Sequence, residues 1–74
     1  MELSEEIVAM LSNLGAIDER KAISREVLKN SQQLKDKPLD EDIRKLIETG
    51  YVKDVDKRLY LTKTGLFRAL SKFS

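Results

Sequence analysis

The sequence predicts an α+β domain, mainly helical, from two observations. Apolar residues recur at three- and four-residue spacing in four separate stretches, each bounded by a capping residue, a glycine or a proline. Between the third and fourth, the β-branched and aromatic runs Tyr51–Val55 and Arg58–Leu61 flank Asp56-Lys57, which suits a two-residue hairpin loop. The 74 residues make one domain, 1–74, near the lower limit of unaided folding, where only about 60% of the unfolded chain's surface becomes buried.

Leu3, Ile7, Met10, Leu11 and Leu14 form the stripe of a first helix, expected over 5–14. Ser4 is its expected N-cap, Leu3 and Val8 its hydrophobic staple, and Gly15 its stop. The connection Ala16–Ile23 is expected to hold a short extended piece. Ser24 repeats the capping logic for a second helix over 25–33, with Val27, Leu28, Ser31 and Leu34 on one face. Lys35-Asp36-Lys37 is expected as the turn, and Pro38 as the first helical residue of a third helix, where its missing N–H is harmless. Leu39, Ile43, Leu46 and Ile47 give that helix its buried stripe up to Thr49, and Gly50 ends it. Thr62 caps the last helix, 63–72, which carries Leu66, Phe67, Leu70 and Phe73.

Composition excludes more than it includes. Without cysteine there are no disulfides or thiolate metal sites, and without histidine the commonest neutral-pH base and metal ligand is gone. No paired carboxylates with a supporting nucleophile and no glycine-rich phosphate loop replace them, so no enzyme, cofactor or metal is expected. Asp40-Glu41-Asp42 point in three directions on a helix and suit its dipole rather than an ion. The longest apolar run, Ile7–Leu11, is too short to cross a bilayer, and Glu2, Glu5 and Glu6 replace the basic start of a signal peptide. A cytoplasmic location is expected. Charge alternates in blocks: −5 over 1–19, +4 over 20–37, −2 over 38–50 and +4 over 51–74.

Two strings carry a family resemblance: Leu46-Ile47-Glu48-Thr49-Gly50-Tyr51-Val52, and Tyr60-Leu61-Thr62-Lys63-Thr64-Gly65-Leu66. Together they resemble the helix, Gly-Tyr-Val, charged hairpin and Tyr-Leu-Thr-x-x-Gly-Leu pattern of small prokaryotic, especially archaeal, winged helix-turn-helix domains. Leu14-Gly15-Ala16-Ile17-Asp18-Glu19 is similar to the exit of their first helix. The resemblance implies a three-helix core, a wing at 51–62 paired with the extended piece before helix 2, and a C-terminal helix. It also implies that helix 3, about 38–49, enters the major groove of double-stranded DNA while helix 2 lies over the backbone.

Mapped onto this chain, Arg25, Lys29, Lys35 and Lys37 surround helix 2 and the turn. Glu41, Arg44 and Lys45 lie on the outward side of helix 3, and Lys53, Lys57 and Arg58 lie on the wing. Glu41 is able to accept from cytosine N4, but it and Glu48 also repel a polyanion. About six phosphate contacts would give a log K against log salt slope near −5. The bland alternative is solubilising charge with helical pairs such as Glu41–Lys45 and Arg44–Glu48. Tyr51 and Tyr60 suit either base stacking or capping of the hairpin against the core. Leu66, Phe67, Leu70 and Phe73 are the expected dimer interface, with packing on helix 1 as the alternative. The expected function is a dimeric DNA-binding transcriptional regulator. Its competitor is a winged-helix protein–protein module that docks a basic partner on acidic helix 3.

Overall fold

A computed structural model describes residues 2–73, with side chains through Ser71. Its regular elements are helices α1 (Leu3–Asn13), α2 (Arg25–Lys29), α3 (Leu39–Glu48) and α4 (Lys63–Phe73), and strands β1 (Ile23–Ser24), β2 (Val52–Val55) and β3 (Arg58–Leu61). A single 3₁₀ turn at Glu19–Lys21 is capped by the Asp18 carboxylate, which accepts from the Lys21 amide. The class is therefore α+β and mainly helical, as expected.

Two glycines set the ends of α1 and α3 by the same device. Gly15 and Gly50 adopt left-handed φ values of 74° and 83°. Behind them the Ala16 amide donates to the Leu11 carbonyl at 2.9 Å, and the Tyr51 amide to the Leu46 carbonyl at 3.0 Å. These bonds satisfy carbonyls that a helix end otherwise leaves unpaired, and they turn the chain back onto the core.

β3 is the central strand of an antiparallel sheet ordered β1–β3–β2, with Val52 opposite Leu61 and Ile23 opposite Leu59. Beyond the end of β1, the Leu61 amide donates to the Ala16 carbonyl at 2.7 Å, so β3 stays paired along that side. β2 is left as the outer strand. Buried Val52, Leu59 and Leu61 face the helices, with α1 and α4 against β3 and α3 against β2. Ile7, Leu11, Leu28, Leu34, Leu39 and Ile43 complete a core to which α1, α2, α3 and the sheet all contribute. Thr62 caps α4 as expected, accepting from the Gly65 amide at 3.1 Å while its hydroxyl donates to the Gly50 carbonyl at 2.6 Å.

Four expected boundaries are corrected. Helix α1 begins earlier, with Glu2 at the cap position and Ser4 inside the helix. Ser24 occupies the cap of α2 but its side chain makes no capping bond. Helix α2 stops at Lys29 rather than residue 33, because the Ser31 hydroxyl takes the Leu28 carbonyl at 2.8 Å and competes with the helical ladder. The turn therefore spans residues 30–38 instead of 35–37, as successive bonds from Leu34 to Ser31 and from Lys37 to Leu34, with Asp36 at φ 65°. Pro38 sits at the cap of α3, one residue before the helix it was expected to begin. Among the described residues no helix is long and apolar enough to cross a membrane.

Candidate nucleic-acid interface

Local sequence shapes the β2–β3 hairpin. Asp56 and Lys57 both take left-handed φ, 51° and 65°, which gives the tight hairpin the twist its strands require. Asparagine or glycine is the usual choice for these conformations; Asp56 is tolerated because a short polar side chain suits them, whereas Lys57 carries the full steric cost. The Asp54 carboxylate helps by accepting from the Lys57 amide at 3.2 Å.

Side-chain alternation then sorts the hairpin's residues. Lys53 lies opposite Tyr60 and Val55 opposite Arg58, so these four share the face turned away from the helices. Lys53 and Arg58 are exposed, while Val55 and Tyr60 are half-buried. Arg58 also lies opposite Ser24, which puts the hairpin beside the start of α2.

An ionic junction ties this corner together. The Arg25 guanidinium donates to Asp54 at 3.0 Å and approaches Asp40 at 3.5 Å, and Lys29 reaches the same Asp40 oxygen at 3.7 Å. The first residue of α2, the first turn of α3 and the second strand thus meet at one half-exposed arginine. Neither Asp40 nor Asp54 stood out in the sequence as a partner, because 29 residues separate Arg25 from Asp54.

Of the nine cations mapped to the DNA interface, four are engaged within the chain. Arg25 and Lys29 share Asp40, Lys37 binds Glu6 of α1 at 2.7 Å, and Lys45 lies 3.9 Å from Glu41. Lys37 is thereby drawn towards α1. Lys35, Arg44, Lys53, Lys57 and Arg58 form no ion pair among the described residues. On α3 the buried stripe of Leu39, Ile43 and Leu46 leaves Glu41, Arg44, Lys45 and Glu48 outward and exposed. No group of acidic side chains among the described residues is placed to hold a metal ion.

The expected dimer residues divide. Leu66 packs on the core, whereas Phe67 is 74% and Leu70 57% exposed. The side chain of Phe73 lies outside the described residues. Phe67 also forms one wall of an open groove with Tyr51, Lys63 and Arg68, and the last two were not singled out from the sequence. The signal was there: from Lys57 to Ser74 the chain has five bases and no acid.

No family model, curated protein or solved structure matches this chain.

Proposed function

We propose that the chain is a winged helix-turn-helix domain that binds double-stranded DNA as a transcriptional regulator, with α3 in the major groove and the β2–β3 hairpin as wing. One observation carries this reading. The hairpin's three cations, Lys53, Lys57 and Arg58, are free of ion pairs among the described residues, and Arg25 holds the hairpin against the start of α3. A wing and a recognition helix must keep a fixed relation if both are to reach one duplex. The pairing of β1 with the hairpin also supports the family resemblance, whereas the long 30–38 turn departs from a tight helix-turn-helix.

Free charge is concentrated on the wing, so backbone contact there supplies most of the affinity, and Arg44 is the cation on α3 that no carboxylate engages among the described residues. Fluorescence anisotropy on a labelled duplex at low salt tests this, with Lys57→Glu/Arg58→Glu as the variant. Binding by the parent chain and its loss in the variant are expected. Equal affinity in both would remove the wing from the interface.

A protein-docking role has its own observation, since Glu41 and Glu48 are exposed opposite the buried stripe of α3. It predicts no duplex binding at low salt and capture of a basic partner that depends on those two carboxylates. Dimerisation through Phe67 and Leu70 predicts a mass that doubles with concentration, which light scattering reads directly.

A further inference from the structure

We infer that the groove between α4 and the segment following α3 binds single-stranded nucleic acid, with a base stacked on Phe67 and the strand's phosphates at Lys63 and Arg68. The groove measures about 480 Å³ and is lined by Tyr51, Lys63, Thr64, Phe67, Arg68 and Ser71. Among the described residues it holds two cations, two aromatic rings, three hydroxyls and no carboxylate. Phe67 is 74% exposed, so its ring offers a face to solvent that no described residue covers. An aromatic platform flanked by cations is the chemistry that tracks an unpaired strand, because every base has a π-face and every linkage a negative charge.

The shape favours a strand over a free nucleotide. The groove is widely open to solvent, whereas a small molecule gains most from a site that buries nearly all of it. Charge complementarity favours a polyanion over a second copy of the chain. Lys63 and Arg68 lie in an acid-free stretch of sequence, and carboxylates border the neighbouring clefts, Glu2 and Glu5 beside Arg68 and Tyr51, and Asp18 and Glu19 beside Lys63. Lys63 also borders a cleft with Lys53 of the hairpin, whereas Phe67 and Arg68 do not, so Phe67 is the residue whose replacement separates this face from the proposed duplex interface.

The test uses the whole chain and a labelled 20-mer of thymidylate, at concentrations where light scattering gives the monomer mass. Phe67→Ala is expected to weaken the 20-mer about 5- to 150-fold, the range for losing one aromatic stacking partner. Phe67→Tyr is expected to restore binding, and Phe67→Leu is not. Lys63→Ala/Arg68→Ala is expected to weaken it and to flatten its salt dependence. Duplex affinity should be unchanged in Phe67→Ala, while Lys57→Glu/Arg58→Glu should leave the 20-mer bound. Because Phe67 is exposed, its replacement leaves the core intact, which an unchanged Tm checks. Absence of 20-mer binding, equal affinity in Phe67→Ala, or full rescue by leucine would overturn the assignment. A change in mass on replacing Phe67 would also overturn it, since the ring would then belong to contact between copies.

Discussion

Replacing Lys53, Lys57 and Arg58 together by alanine removes three of the five mapped interface cations that make no ion pair among the described residues. The effect on duplex binding follows from counterion release, which lowers log K by about 0.9 per phosphate neutralised for each tenfold rise in salt. Five contacts give a slope of about −4.5, and the two left on Lys35 and Arg44 give about −1.8. Between 50 and 200 mM salt the parent chain should then lose about 500-fold in affinity and the variant only about 12-fold. Anisotropy of a labelled duplex, titrated at four or five salt concentrations, reads both slopes. An unchanged slope in the variant would refute contact by the wing. A parent slope near −8 would refute the division into paired and unpaired cations, since all nine would then be reaching phosphate.

Other substitutions probe the scaffold. Gly65→Ala drives a Cβ into the Tyr51 carbonyl, which already accepts from the Thr62 amide at 3.1 Å. A loss of about 1–3 kcal/mol is expected, seen as a lower Tm in thermal denaturation. Arg25→Ala should cost about 1 kcal/mol, because its two partners are exposed or part-exposed. That difference should shrink in 1 M salt, and an equal gap at both salt concentrations would show that packing rather than charge is lost. Asp56→Asn/Lys57→Gly should stabilise the hairpin by about 1 kcal/mol, raising Tm by several degrees while weakening duplex binding. Leu34→Ala should cost about 2–5 kcal/mol despite lying in a turn, because the side chain is fully buried.

The hairpin, both glycine stops and the Thr62 cap were legible because each is a local rule, satisfied by residues within a few positions of one another. The end of α2 was not. Leu28, Ser31 and Leu34 have the spacing of a helical face, but three-residue spacing also arises from stacked turns, and here the bonds from Leu34 to Ser31 and from Lys37 to Leu34 each span three residues. The candidate site was legible as a set of cations and not as an arrangement. Whether Arg25 faces a phosphate or Asp54 depends on two segments meeting in space, and so does the turning of Lys37 towards Glu6, 31 residues away. The acidity of α3 was correctly read from sequence, but the neutralisation of Asp40 by two cations of α2 is a tertiary fact.

The placement of β2 at the outside of the sheet bears on how the protein behaves when concentrated. An unpaired strand margin is a template onto which another chain can add, and a 74-residue domain has little surplus stability with which to resist. Here the margin is four residues long and its middle pair is Lys53-Asp54, of opposite charge and poorly suited to a flat, self-matching ladder. Like charges at Lys53 would repel in such a ladder, so a variant that removes this lysine is expected to lose colloidal stability at high concentration.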